Sequence, residues 1–395
     1  MAIADEELDY PGLVILRRLR GLAVARHAKG DSRLHLTPNP EPQEFHGLPE
    51  DTGAEAAGLV LEPREGAPFQ IRPLRPRKKR CGIGAFCDGT RATYSVGFED
   101  VYPLLYTENA AAVRRRDPAL GYHLSFYGLR RGHATLLAPF GLLQPAVRLP
   151  YERLGLCPTR YADLCWAGDS EESGLTPIEM RRLSSLDWQV RAQRRARRLM
   201  EISEQVATLA AARMLRAQSP DGSLWLLKDG SLFQFDRGYL RQREPLRQVV
   251  ACVKTHPVPF FGVAGERALA RMRIGERSVA FLPRPPRERT SRQGSQEETL
   301  ATSSRPMACW YLRVHESEPQ QPNLLSGVVR LDIAAVDSWQ DWVDPVSWAV
   351  LDEFHGLSAR PDPRYDVMPY GIHECEQVLH SERLPGKLLL ATIGG

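Results

Sequence analysis

Apolar residues recur at helical spacing over one long stretch of the chain. From Leu186 to Gln218, the residues Leu186, Val190, Leu199, Ile202, Val206, Leu209, Ala210 and Met214 share one face, while Arg194, Arg195, Arg197 and Arg198 fall largely elsewhere. Ser184 with Asp187 three residues on comes close to a capping box, and Ser219-Pro220 closes the helix. Shorter apolar runs surround it. GIGAFCDGTRATYSVGF, beginning after Cys81, is a small-apolar run, an Asp-Gly and a run rich in Thr, Tyr, Val and Phe, which predicts a β-hairpin with Asp88 at its bend. Gly121 to Leu129 is a further strand, SLWLLKDG a strand reaching a turn, and QVVACVKTH a short buried strand ending near Lys254. CWYLRVH (309–315) and GVVRLDI (327–333) read as paired strands, and a second helix is expected after Tyr370. Strands on both sides of a long central helix make the expected class α/β.

The rest of the chain is punctuated rather than periodic. Residues 1–80 carry one helical or strand element near Leu13 to Ala25, then a loop with Pro38, Pro40 and Pro42, and read as an N-terminal leader. The segment from the strand at Gly121 to Leu129 onward to Ser173 is broken by Pro139, Pro145, Pro150 and Pro158 and reads as loop-rich. Residues 284–306 are polar and predict a mobile loop.

Composition narrows the class of protein. With 395 residues, 43% hydrophobic and 25% charged, the chain has the makeup of a folded soluble protein of one elaborated domain or two. No apolar run approaches the ~18 residues of a membrane span. The start of the chain is acidic (Asp5, Glu6, Glu7, Asp9), unlike a signal or transit peptide, so the expected compartment is the cytoplasm. Seven cysteines stand singly without a CxxC pair, which indicates neither a disulfide frame nor a structural zinc site. The formal charge of +4 is small, but only six basic residues are lysines, and the basic residues cluster at 72–80 (RPLRPRKKR) and 191–198 (RAQRRARR). Arg77, Lys78, Lys79, Arg80, Arg194 and Arg195 are therefore candidate nucleic-acid contacts, against the plainer reading of solvated basic faces.

Candidate chemistry centres on two Asp-Gly pairs. Asp88-Gly89-Thr90 and Asp229-Gly230-Ser231 each follow an apolar strand, so each offers a carboxylate where a sheet meets solvent, suited to Mg²⁺ or Mn²⁺. Asp-Gly is also an ordinary hairpin turn. Glu201 and Glu204 lie three apart on the long helix and either offers a third carboxylate, while Lys254 at a strand end offers a point charge to a phosphate. Near the C-terminus Glu376 and His380 lie four apart on the expected helix, with His373 a turn before. The run from His373 fails HExxH because Gln377 stands where a histidine is required; GIGAFCDG fails GxGxxG at Cys87, and no GxxxxGK[ST] occurs.

The order of these pieces resembles the NurA nuclease family. The resemblance spans roughly Cys81 to His380 and is carried by Asp88-Gly89-Thr90, the long helix with Met200-Glu201, Lys228-Asp229-Gly230-Ser231-Leu232, Val253-Lys254-Thr255 and Met368-Pro369-Tyr370. It implies an RNase H-like mixed sheet with flanking helices and insertions, in a homodimeric, Mn²⁺- or Mg²⁺-dependent nuclease that processes DNA ends with a HerA-type hexameric ATPase. By resemblance, Asp88 and Asp229 bind metal, Glu201 completes the site with Glu204 as alternative, and Lys254 and Glu376 join the catalytic set. The family pattern has a tyrosine and a histidine where this chain has Met368 and Glu376. Glu376 could bind metal there, or His373 or His380 could replace the imidazole. The implied organisation is a nuclease domain over 81–395 with an insertion at about 101–173, after a leader 1–80 that could dock the partner. The rival expectation is a non-catalytic DNA-binding or scaffolding subunit.

Overall fold

The computed structural model describes residues 12–42, 58–62, 69–77, 79–116, 124–131, 134–156, 162–166, 176–232, 235, 246–254, 261–283, 307–316, 325–335, 338–354 and 369–394. The expected mobile loop 284–306, Lys78 and Met368 lie outside them.

Thirteen strands form one mixed sheet. They are β1 (Leu34–Leu36), β2 (Gly58–Val60), β3 (Ile71–Pro73), β4 (Gly82–Glu99), β5 (Tyr102–Arg116), β6 (Leu124–Arg131), β7 (Thr135–Leu137), β8 (Leu224–Asp229), β9 (Val249–Val253), β10 (Glu276–Ser278), β11 (Phe281–Pro283), β12 (Met307–Arg313) and β13 (Val328–Ala334). The main path runs β2-β11-β12-β13-β9-β8-β4-β5-β6. Among the described strands only β4–β8 and β8–β9 are parallel; β12 and β13 pair antiparallel over seven residues, as their composition predicts.

The expected hairpin bend at Asp88-Gly89 is corrected. Residues 82–99 are one continuous strand, and the chain turns at Asp100-Val101 instead. An Asp-Gly pair permits a turn without imposing one, and here its neighbours are already paired: β5 runs antiparallel beside β4 from Ala85↔Arg115 to Glu99↔Tyr102. The first part of β4 also pairs with β8 and its last residues with β1, and a bend at Asp88 would break the β5 ladder that runs through Asp88↔Ala112 and Gly89↔Ala111. The loop-rich expectation for the segment before Ser173 is corrected in its described part as well. Strand β7 is followed by a 3₁₀ turn, Phe140–Leu142, and by helix α2 (Pro145–Arg153), whose first proline sits where a helix spares an N–H.

The other helices are α1 (Gly12–His27), α3 (Pro177–Met180), α4 (Ser185–Gln218), α5 (Gly262–Ala270), α6 (Gln340–Phe354), α7 (Tyr370–Ser381) and α8 (Gly386–Ile393). Helix α4 begins at Ser184, whose hydroxyl accepts from the Asp187 N–H while Asp187 accepts from the Ser184 N–H, so the capping box is complete.

Strand side chains alternate between two cores. Ala85, Cys87, Leu226, Val249 and Ala251 meet Ala207, Ala211 and Leu215 of α4. Phe86, Leu227, Val250 and Cys252 meet Val346 and Val350 of α6 and Ile372 and Cys375 of α7. The sheet is thus sandwiched, with α4 on one face and α6 and α7 on the other. The far end of β4 and β5 carries a third core with α1, α2 and α8. There the buried Glu99 carboxylate takes two hydrogen bonds from Arg26 and one, at 2.6 Å, from the Tyr151 hydroxyl.

Candidate active site

Asp88 and Asp229 are brought together by strand register. Cys87 pairs with Lys228 across the parallel β4–β8 ladder, so the next residue of each strand, Asp88 and Asp229, points to the opposite face, the one covered by α7. Cys252 stands opposite Asp229 on β9, and Lys254 two residues on returns to the same face. Strands β8 and β9 end here while β4 runs on to Glu99, so Asp229 sits at the carboxyl end of its strand and Asp88 beside it where the parallel ladder stops, a usual place for a ligand in an open α/β sheet.

Charge at this point is crowded. Asp88 is 5% exposed and its Oδ1 accepts the Gly89 N–H at 2.7 Å. Burial, then the charge of Asp229, holds its carboxyl well above the ordinary aspartate range; Glu204 and Glu376 push the same way, and only Lys254 opposes them. Asp229 Oδ1 is buried, and although the Lys254 ammonium lies 3.0 Å away, it receives no aligned hydrogen bond. Burial alone would lower the Lys254 pKa, but the charges of Asp229 and Asp88 more than offset this and raise it. Two arginines occupy neighbouring positions on the same face. Arg383 donates to the Thr90 hydroxyl, two residues beyond Asp88 on the same face, and Arg114 of β5 reaches Glu374 of α7 at 3.4 Å.

The opposite face holds a second charged group. Lys228 is fully buried and pairs with Glu204 of α4 at 2.9 Å, while also donating to the Asp229 carbonyl. Burial would lower the Lys228 pKa, but Glu204 overrides it and raises it. Glu204 reaches this position only because residue 89 is glycine: a Cβ there would lie 2.2 Å from Glu204 Oε1. The glycine of Asp88-Gly89 serves this close approach, not a turn. Gly230, in contrast, takes φ +73° directly after β8, a conformation that favours glycine.

The expected site residues divide accordingly. Asp88, Asp229 and Lys254 are gathered on one face, and Glu376 of α7 is close enough for its charge to act on Asp88. Glu201 is not with them. It pairs with Arg197 at 3.2 Å and Arg198 at 3.4 Å on α4's outer side, and Glu204 is the glutamate that meets the sheet. His373 is buried on α7, its Nε2 2.9 Å from the Gln377 amide one turn on, and His380 is exposed. Arg77 and Lys79 are engaged within the molecule: Arg77 reaches Asp352 at 2.6 Å and lies over the Trp348 ring, and Lys79 reaches Asp341 at 3.1 Å and lies over Trp342. Arg195 donates to the Trp166 carbonyl and lies over its ring, whereas Arg80 and Arg194 are exposed. Lys228 was not singled out as a site residue, although a lysine inside the apolar run LWLLKD signals a buried charge that needs a partner.

Among the described residues, no group of three or more His, Cys, Asp or Glu is gathered closely enough to hold a metal ion. No helix among them is long and apolar enough to cross a membrane. No family model and no curated protein matches the chain.

Proposed function

We propose that the chain is a divalent-metal-dependent DNA nuclease built on an RNase H-like sheet, acting at Asp88 and Asp229. The observation that carries this reading is the buried Asp88 beside the half-buried Asp229 where the parallel β4–β8 ladder stops, with the Lys254 ammonium 3.0 Å from Asp229. The strand order supports it: the antiparallel β4-β5-β6 meander is extended on the β4 edge by parallel β8 and β9, with α4 crossing between the two sets.

The residues suit a hard cation. Two carboxylates side by side favour either a proton or a metal ion, and the buried Asp229 Oδ1 already takes one cation, the Lys254 ammonium at 3.0 Å. Asp88 and Asp229 would hold the ion, with Glu376 facing them from α7; Glu204 is committed to Lys228. A Mn²⁺ or Mg²⁺ ion there supplies Lewis-acid stabilisation for phosphodiester hydrolysis. The protein's own groups do the rest. Lys254 presents a positive charge beside Asp229, and Arg383 and Arg114, on neighbouring positions of the same face, can orient a phosphate. With no nucleotide-binding loop in the sequence, long substrates would be fed by a separate motor of the HerA type, acting on a dimer of this chain; residues 1–80 are a candidate docking segment.

A second reading is a DNA-binding subunit that does not cleave. It is favoured by the ammonium of Lys254 lying against Asp229 and by the lack of a third carboxylate at ligand distance among the described residues. Linear single- and double-stranded DNA incubated with Mn²⁺, Mg²⁺ or EDTA separates the two. The nuclease reading expects metal-dependent cleavage that falls by about 100-fold or more in Asp88→Ala and Asp229→Ala. Intact DNA throughout, or cleavage at the wild-type level by both variants, overturns it.

A further inference from the structure

Beyond Asp88, the α7 face of the sheet carries a guanidinium whose place is fixed by its neighbours. Arg383, in the connection from α7 to α8, donates from Nε at 3.1 Å and from Nη2 to one oxygen, the Thr90 hydroxyl. The rest of its five N–H donors meet no acceptor among the described residues, and no carboxylate among them forms an ion pair with it, whereas Arg114 meets Glu374 at 3.4 Å. Arg383 is half-buried, so one side of it faces water. The next residue sets its position. Leu384 is 1% exposed, its N–H donates to Glu108 Oε2 of β5 at 3.0 Å, and its carbonyl accepts from the Tyr94 hydroxyl of β4 at 3.0 Å. The other Glu108 oxygen accepts from the Tyr106 hydroxyl, and the rings of Tyr94 and Tyr106 stack 6.2 Å apart. Arg383 acts on Glu108 by charge, but loss of water holds that carboxyl above the ordinary glutamate range and makes it a weak counter-charge.

We propose that Arg383 binds a non-reacting phosphate of the nucleic-acid strand, next to the phosphate at the aspartates, and that the clamp on Leu384 sets its place. The assignment rests on the nucleic-acid reading of this face but needs neither metal nor cleavage. Thr90 lies two residues beyond Asp88, about 7 Å along β4, so Arg383 stands to one side of the aspartates rather than over them. A guanidinium fork matches phosphate oxygens, and Arg383 gives up only a hydroxyl contact when one arrives. A phosphate held there orients its neighbour for reaction and carries no sequence information.

The test is fluorescence anisotropy of a labelled deoxythymidine decamer with the full-length chain in EDTA, between about 50 and 200 mM salt. Arg383→Gln can still donate to Thr90 but carries no charge; it is expected to weaken the decamer about tenfold and to lower the slope of log K against log salt by about 0.7, one phosphate contact on a single strand. Arg383→Lys keeps the charge and is expected to keep the slope. Tyr94→Phe releases the Leu384 carbonyl and is expected to weaken the decamer about threefold, yet to add nothing in the Arg383→Gln background. An unchanged slope in Arg383→Gln, the same drop in Arg383→Lys, or equal weakening by Tyr94→Phe with and without Arg383 overturns the proposal. A wild type that does not bind the decamer overturns it together with the nucleic-acid reading, whereas the expected slopes without metal-dependent cleavage uphold it and overturn the nuclease reading alone.

Discussion

Lys228 and Asp229 are consecutive residues of one strand, yet they point to opposite faces of the sheet and meet opposite charge balances. On the α4 face, Lys228 is fully buried against a single carboxylate, Glu204, at 2.9 Å, and the pair is balanced one to one. On the α7 face, Asp229 adjoins Asp88 with Glu376 nearby, and one ammonium, Lys254, serves them. A buried charge persists only when it is matched. The balanced pair therefore reads as part of the scaffold, locking α4 to the end of β8. The unbalanced face favours a further positive charge, and that imbalance, rather than the presence of carboxylates as such, marks it as the candidate site.

The comparison can be broken from either side, beginning with the scaffold. Lys228→Met leaves Glu204 buried without its cation, and urea denaturation should show a loss of about 3–5 kcal/mol. The double variant Lys228→Met with Glu204→Leu should recover most of it, since two apolar side chains replace a pair rather than orphan a charge. Recovery would confirm that the two residues act on each other; equal losses in single and double variants would show that Lys228 serves the Asp229 carbonyl instead.

An intermediate case sharpens the contrast. Glu353 of α6 is matched by Arg116 at 2.5 Å, yet burial wins and holds its carboxyl up to about 7, against an ordinary value of 4.5. The folded state then keeps a proton that the unfolded chain releases, so stability is full below about pH 4.5 and falls as pH rises to about 7. Glu353→Gln should flatten this slope, a difference of up to about 3 kcal/mol at pH 8, measured by denaturation at several pH values. The weakest case is the solvated one. Arg77 and Asp352 are each about half exposed, and Arg77→Ala should change stability by less than about 1 kcal/mol, with the effect fading in high salt.

The sequence carried much of this architecture. Helix α4 was legible to within a residue because its apolar period and its Ser184–Asp187 cap agree, and β12 and β13 were legible as neighbours because both are rich in β-branched and aromatic residues. Strand β4 was misread at Asp88-Gly89, since that dipeptide looks the same whether it turns the chain or makes room for a carboxylate from another element. Glu201 and Glu204 differ by only about 60° around the helix, and which one meets the sheet depends on how α4 rolls over Gly89. The basic run at 72–80 looked like a surface for polyanions because Asp341 and Asp352, which Lys79 and Arg77 meet, stand more than 260 residues away. Pairing of that kind leaves no local pattern to read.

The central claim, that Asp88 and Asp229 form an under-compensated pair suited to a divalent cation, is tested most directly by thermal unfolding at pH 8 in EDTA and in Mn²⁺. In EDTA, Asp88→Asn removes one of two crowded charges and should melt a few degrees above wild type. Added Mn²⁺ should raise the wild-type midpoint by mass action and leave Asp88→Asn unmoved. A variant that melts below wild type in EDTA, together with a wild type that Mn²⁺ does not stabilise, would contradict the account.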